Sequence, residues 1–117
     1  MGMSAHHIDY LELAVTDLPS SRTFYESAFG WSFNDYGGMY AGIVGPDGKD
    51  ENGGMYASET PVAPLPLIRT TDLEAAVAAV EKAGGTITEA PYDYPGGRRF
   101  IFTDPSGNRL GVYQPAE

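Results

Sequence analysis

The chain has 117 residues, 42% of them hydrophobic and 20% charged, so it is long enough to form one domain with its own core. It has no cysteine, which excludes disulfides, thiolate catalysis and thiolate metal ligands, and no apolar run approaches the ~18–20 residues that span a bilayer. The net charge of -9 disfavours nucleic acid and anionic membranes as partners and favours cationic ligands, although an acidic surface also serves solubility alone.

The first half of the chain predicts a strand, a helix and three further strands. Residues 8–15 are apolar with β-branched and aromatic members, which is typical of a strand. Asp17 is a candidate helix N-cap, and Gly30 suits the left-handed residue that ends a helix. Turn residues then separate three predicted strands, at about 31–36, 39–45 and 53–58.

The second half predicts the same elements after an extended linker over residues 59–64, which contains Pro61 and Pro64. Residues 65–70 predict a strand, and Asp72 caps a helix that ends at Gly84-Gly85. Three strands follow, at about 86–92, 98–104 and 109–114.

Short sequence matches recur in the same order in both halves. They are Thr16-Asp17-Leu18 with Thr71-Asp72-Leu73, Gly45-Pro46-Asp47-Gly48 with Asp104-Pro105-Ser106-Gly107, and Gly54-Met55-Tyr56 with Gly111-Val112-Tyr113. Three ordered matches indicate a duplication. We therefore predict an α+β single domain of two tandem βαβββ modules, module one at about 8–58 and module two at about 65–114. Together they are expected to form one curved mixed sheet with a central ligand cleft.

This pattern resembles the vicinal oxygen chelate superfamily, which includes glyoxalase I, extradiol dioxygenases and bleomycin-resistance binding proteins. The resemblance covers essentially the whole chain, and the sequence looks most like the small glyoxalase-related proteins. The resemblance rests on four short segments. They are Leu11-Glu12-Leu13-Ala14-Val15-Thr16-Asp17-Leu18, the pair Phe24-Tyr25, the triplet Phe29-Gly30-Trp31 and the turn Asp104-Pro105-Ser106-Gly107-Asn108. The resemblance implies the fold and a homodimer, whereas the fold alone does not fix the activity.

The resemblance also implies four places for metal ligands. In this chain they hold Tyr10, Leu65 or Pro66, Gly54 and Gly111. None of these supplies the histidine nitrogen or carboxylate that a divalent ion requires. We therefore expect no metal and no other cofactor, which argues against the metal-dependent glyoxalase I and dioxygenase activities of the family.

The only two histidines, His6 and His7, are adjacent, so on a strand they would point to opposite faces and could not chelate one ion together. A surface position is the simpler interpretation. A metal site rebuilt from His7 and Glu12 is the less favoured alternative.

Strand alternation predicts which side chains face the cleft. If Tyr10 points inward, Glu12 does too, while the more apolar Leu11, Leu13 and Val15 pack on the helix. Glu12 is then a candidate general acid or base. A structural carboxylate paired with an arginine or with backbone amides is an equally good interpretation.

Several further residues are candidate ligand contacts. Arg69 is a candidate to hold a substrate carboxylate, to pair with Glu12, or to reach solvent. Gly54 and Gly111 would leave space for a ligand, or would mark only a strand bend, and they place Tyr56 and Tyr113 on the inner face.

Tyr92, Tyr94, Arg98 and Arg99 flank Pro95-Gly96-Gly97, which predicts either a loop over the pocket mouth or a simple hairpin turn. The matching feature in module one consists of Tyr36, Gly37, Gly38 and Tyr40.

Three hypotheses follow. The first is a metal-independent module that binds or sequesters an aromatic or cationic small molecule. The second is a metal-independent lyase or isomerase with Glu12 as acid/base, acting by family analogy on a thiol conjugate or a methylglyoxal adduct. The third is a structural or dimer-forming relic. No secretory signal is visible, so a cytoplasmic location is expected.

Overall fold

A computed structural model describes residues 6–60 and 62–116. Backbone contacts group them into two compact units. One unit spans residues 10–64 and the other comprises residues 6–9 with 65–116. Pro61, predicted as part of the linker, lies outside the described residues. Neither helix in the described part of the chain has the length and apolar character needed to cross a bilayer.

Module one contains one helix and four strands. They are β1 (His7–Val15), α1 (Leu18–Phe29), β2 (Phe33–Asp35), β3 (Tyr40–Val44) and β4 (Glu51–Ala57). The strand order is β2-β3-β4-β1, with β1 parallel to β4 and the other pairs antiparallel. The first residues of β1, through Asp9, group with module two.

Module two repeats this arrangement. Its elements are β5 (Leu65–Arg69), α2 (Leu73–Lys82), β6 (Thr86–Tyr94), β7 (Gly97–Thr103) and β8 (Arg109–Pro115). The order is β5-β8-β7-β6, and the first and last strands of the module are again the parallel pair. The α+β class and the tandem βαβββ modules are thus confirmed.

Both helices begin at the predicted aspartates. The Asp17 carboxylate accepts a hydrogen bond from the Ser20 backbone amide at 3.0 Å, and the Asp72 carboxylate accepts one from the Ala75 amide at the same distance. Gly30 ends α1 with a left-handed φ of 71°. In α2 the cap residue is Ala83 in a right-handed conformation, and the left-handed residue, with φ 101°, is the following Gly84.

Each helix covers one face of its own four strands. The buried cluster beneath α1 consists of Leu18, Ala41, Ile43 and Met55, with Leu13 and Val15 packed against it. The cluster beneath α2 consists of Leu73, Ala76, Phe100, Phe102 and Val112. We call the opposite side of each four-strand array its helix-free face. Because side chains alternate along a strand, Tyr10, Glu12 and Ala14 lie on the helix-free face of module one.

Candidate functional site

The helix-free face of module one holds a buried carboxylate joined to two tyrosines. Glu12 is only 7% exposed. The Tyr40 hydroxyl donates to Glu12 Oε2 at 3.3 Å, and the Tyr10 and Tyr40 hydroxyl oxygens are 2.6 Å apart. Either hydroxyl can be the donor in the hydrogen bond between Tyr10 and Tyr40. The three groups form a hydrogen-bonded chain that ends at a carboxylate.

Burial keeps the tyrosine hydroxyls protonated. Removal from water is the main cause that raises the pKa of Tyr10 and of Tyr40 above the usual range of a phenol. The nearby negative charge of Glu12 acts in the same direction on both groups. Both tyrosines are therefore hydrogen-bond donors at neutral pH.

Gly54 lies directly beneath this chain. It pairs with Glu12 in the parallel register of β1 and β4. A Cβ at position 54 would lie 2.7 Å from the Tyr10 hydroxyl oxygen and would collide with the hydroxyl end of Tyr40. The space that the sequence analysis assigned to a ligand is thus filled by the two tyrosine hydroxyls, and a ligand on this face would touch tyrosines before Gly54.

A second carboxylate adjoins the first group. Asn34 Nδ2 donates to Glu51 Oε2 at 2.9 Å, the Tyr36 hydroxyl donates to the same oxygen, and the Tyr36 ring centroid is 6.0 Å from that of Tyr40. Gly42 makes room for Glu51, because a Cβ there would collide with the Glu51 carboxyl group.

Sequence reasoning placed Tyr40 only in the loop or hairpin feature of module one, and it missed Glu51 as a site residue. The available signal for this part of the site was Gly42. It is the register partner of Gly54, so the two glycines lie side by side on neighbouring strands. Tyr56, which was predicted, lies on this face in register with Ala14 and Tyr40 and is half-buried.

In module two, Tyr113 and Arg69 lie side by side on the helix-free face. They are register partners in β8 and β5. The Tyr113 hydroxyl donates to Asp9 Oδ1 at 2.7 Å, and Arg69 Nη1 is 3.9 Å from Asp9 Oδ2. Burial, supported by the hydrogen bond to Asp9, raises the pKa of Tyr113 to about 12. The acidic neighbour that the structure shows for Arg69 is Asp9, which was not among the partners considered from the sequence.

Gly111 does not open a space in module two. A Cβ there would collide with Leu67 Cδ2 and would lie 3.2 Å from Ile101 Cδ1. The room above this glycine is therefore filled by apolar side chains, contrary to the expectation that a ligand would enter it.

Arg98 lies apart from the other predicted contacts. Its Nη1 is 2.7 Å from Glu74 Oε2 on α2 and its Nε is 3.3 Å from Asp93, so it points to the helix-covered side of β7. The next residue, Arg99, takes the position expected of Arg98, because neighbouring residues in a strand face opposite sides.

Arg99 lies among tyrosines on the helix-free face. Its Nε donates to the Tyr92 hydroxyl, and its guanidinium carbon is 5.5 Å and 5.4 Å from the ring centroids of Tyr92 and Tyr94. Tyr94 pairs with Gly97, so Pro95 and Gly96 form a two-residue hairpin turn, which favours the hairpin interpretation over a covering loop.

The implied metal places do not fit a divalent ion in either module. In module one, Tyr10 is held in the hydroxyl pair and the space above Gly54 is filled. In module two, Leu67 fills the space above Gly111, and Leu65 is an apolar side chain with 5% exposure. Among the described residues, no three histidine or acidic side chains are grouped as metal ligands would be.

The two histidines have ordinary surface partners. His6 Nε2 is 2.9 Å from the Thr70 hydroxyl oxygen, and His7 Nε2 is 3.8 Å from Asp9 Oδ2. The cleft expected between the two modules stays a prediction, as does a metal site formed by His7 with Glu12.

Known proteins similar to this chain identify its family. The family model described as Glyoxalase/Bleomycin resistance protein/Dioxygenase superfamily matches residues 7–112. An uncharacterized protein of Mycolicibacterium smegmatis is 34% identical over 97% of this chain and 97% of its own length. The protein named "Putative glyoxylase CFP32" of Mycobacterium bovis is 30% identical over 91% of this chain, which spans only 44% of that protein.

A solved structure agrees in fold. Methylmalonyl-CoA epimerase from Mycobacterium tuberculosis matches with a TM-score of 0.73 and 16% identity, covering 100% of this chain and 93% of the epimerase chain. At this identity the likeness concerns the fold alone. Because the family model matches residues 7–112, the chain belongs to the glyoxalase/bleomycin resistance protein/dioxygenase superfamily.

Proposed function

We propose that the chain binds a small organic molecule, aromatic or cationic, on the helix-free face of module one, without a metal ion. The observation that carries this proposal is the buried Glu12 carboxylate hydrogen-bonded to the Tyr40 and Tyr10 pair. Such a group offers a fixed negative charge beside aromatic rings, which is the usual recognition chemistry for an organic cation.

Three further features support this ligand class. Glu51 adds a second carboxylate beside the first. Tyr36 and Tyr56 extend the aromatic surface on the same face. The net charge of -9 raises the local concentration of cations around the whole chain. The remaining predicted contacts, Arg69 and Tyr113, lie in module two.

The test starts from a thermal-shift screen of matched aromatic compounds, such as benzyltrimethylammonium, benzyl alcohol and benzoate. We expect the cation to stabilise the protein most, with an affinity that titration calorimetry measures. Glu12→Gln should weaken binding of the cation by about tenfold, because the charge-assisted contact is lost. Tyr40→Phe tests the hydroxyl pair without changing the charge.

Glu26→Gln is the matched control, since Glu26 is an exposed carboxylate on α1. It removes the same charge on the helix-covered side of module one. Equal loss of affinity in Glu12→Gln and Glu26→Gln would show that only net charge matters and would reject the site.

A metal-independent lyase or isomerase is the second candidate function. The same hydrogen-bonded group favours it. Tyr10 and Tyr40 are linked to Glu12 in the way that proton donors are linked to a general acid or base. A thiol conjugate such as the methylglyoxal–glutathione hemithioacetal is the substrate class to try first, by analogy with the family.

The two functions separate in one experiment. The hemithioacetal is incubated with the protein in D2O, and exchange and product formation are followed by NMR. Turnover that Glu12→Gln abolishes while binding persists supports the enzyme. Ligand binding without turnover in the wild type supports the binding module.

We also infer a homodimer, from the family resemblance, and a cytoplasmic location. The net charge of -9 argues against nucleic acid as a partner. Light scattering coupled to size-exclusion chromatography tests the dimer: a mass of one chain, 12.5 kDa, would reject it.

A further inference from the structure

Four side chains form a continuous row across the helix-free face of module two. Arg69 in β5 is opposite Tyr113 in β8, Tyr113 is opposite Arg99 in β7, and Arg99 is opposite Tyr92 in β6. We call these four residues the arginine–tyrosine row. Their order alternates a guanidinium with a phenol on successive strands.

The row concentrates positive charge in an acidic protein. The chain has only seven Lys+Arg against sixteen Asp+Glu, and two of the seven flank Tyr113. Because strands in a sheet lie about 4.8 Å apart, the Cα atoms of Arg69 and Arg99 are about 10 Å apart. Arginine side chains can reach toward each other over this distance, so both guanidinium groups can contact one anionic group near Tyr113.

The surroundings hold Arg99 in a defined orientation. The rings of Tyr92 and Tyr94 lie against its guanidinium, and the Tyr92 hydroxyl accepts a hydrogen bond from its Nε. A guanidinium held in this way loses less conformational freedom when it binds a ligand. Arg69 has a side chain that is 48% exposed, and its 3.9 Å separation from Asp9 is longer than a hydrogen bond.

The row already holds a carboxylate of the chain itself. Asp9 Oδ1 accepts a hydrogen bond from the Tyr113 hydroxyl at 2.7 Å, and Asp9 lies beside Arg69. This contact demonstrates that the Arg69 and Tyr113 end of the row accommodates a carboxylate. Asp9 therefore competes with an external anion for this end of the row, because its negative charge repels that anion.

We propose that the arginine–tyrosine row binds the carboxylate or phosphate group of a small organic anion, with the rings of Tyr92 and Tyr94 beside the apolar part of that molecule. The guanidinium fork suits either kind of oxyanion. This site consists of other residues than the site proposed in module one and binds a ligand of opposite charge. The two proposals are therefore tested independently.

The experiment is a titration with benzoate and phenyl phosphate, with benzyltrimethylammonium as the cationic counterpart, followed by protein-observed NMR. Arg69→Gln and Arg99→Gln should each weaken anion binding by about tenfold, the effect of losing one charge-assisted contact. Arg99→Lys keeps the charge and guards against misfolding in Arg99→Gln. It should weaken binding less than Arg99→Gln but lose the fork geometry.

Asp9→Asn gives a change of opposite sign. It removes the competing charge and should strengthen anion binding severalfold, whereas Glu81→Gln on α2 makes the same charge change on the other side of the sheet and should have little effect. Lys82→Gln is the corresponding control for the arginine variants. Tighter binding of benzoate identifies a carboxylate ligand, and tighter binding of phenyl phosphate a phosphate ligand.

Three results would overturn the proposal. One is the absence of binding by both anions. Another is equal weakening by Lys82→Gln and Arg69→Gln. The third is unchanged anion affinity when Arg69 and Arg99 are replaced together. Loss of cation binding in Glu12→Gln with anion binding intact would leave this site standing and would concern module one alone.

Discussion

At the scale of single residues, the helix-free faces of the two modules carry different side chains at positions that match in the duplicated fold. Ala14 and Arg69 occupy matching positions in the two copies, as do Gly54 and Gly111. Gly54 supports tyrosine hydroxyls and a carboxylate, whereas Gly111 lies beneath apolar Leu67. The two copies share the fold, whereas the helix-free face carries the Glu12 carboxylate in one copy and Arg69 and Arg99 in the other.

The matched glycines give a direct test of how tightly the tyrosine pair is packed. Gly54→Ala should lower the free energy of unfolding by about 1–3 kcal/mol, because its methyl group meets the ends of two rigid rings. Gly111→Ala should cost less, since it meets the flexible end of Leu67. Urea denaturation measures both.

A double-mutant cycle checks the cause. In a Tyr40→Ala background the main collision is gone, so Gly54→Ala should be better tolerated. An unchanged cost in that background would mean that Tyr40 is not what excludes a side chain at position 54.

At the scale of elements, the sequence predicted the features that depend only on residues close together in the chain. The aspartate caps, the glycine helix ends and the turn at Asp104 follow from neighbouring backbone groups, and the alternation of strand one placed Glu12 on the correct face. Strand β2 is shorter than predicted, at three residues, and begins after Trp31, whose ring stacks on Tyr25 of α1.

The pairing of strands determines what local rules could not supply. Tyr40 reaches Glu12 because β4 lies between their strands, with Gly54 the register partner of Glu12 and Gly42 that of Gly54. Likewise, whether Arg98 or Arg99 lies on the same face as Tyr113 depends on the pairing register of β7. A shift of that register by one residue would exchange the two arginines between the faces. Spacing in the sequence gives neither fact.

The duplicated caps predict equal contributions from the two helices. Asp17→Ala and Asp72→Ala should each lower stability by about 1 kcal/mol, because each carboxylate accepts a first-turn amide proton. Chemical denaturation measures the change. Glu81→Ala, near the end of α2, is the matched charge control, and a similar loss in that variant would contradict a capping role.

At the scale of the whole molecule, partly buried tyrosines should make the fold sensitive to alkali. The pKa of Tyr113 is raised to about 12 in the folded chain, whereas an unfolded tyrosine ionises near pH 10. Between these values the unfolded chain holds fewer protons than the folded one. Stability therefore decreases as pH rises through this window.

Tyr113→Phe should flatten this dependence, although the variant starts from lower stability because Asp9 loses its hydrogen bond. Urea midpoints measured from pH 8 to 11.5 provide the comparison. Parallel curves for the variant and the wild type would contradict the assignment of Tyr113, while a remaining slope is expected from Tyr10 and Tyr40, whose pKa values are also raised.

The stacking of Trp31 on Tyr25 has a practical consequence for spectroscopy. The two ring centroids are 4.8 Å apart, and Trp31 is the single tryptophan of the chain. Its fluorescence emission therefore reports on module one only, while circular dichroism registers the helices of both copies. Comparing the two melting curves would reveal whether the ancestral halves unfold as one cooperative unit or in separate steps.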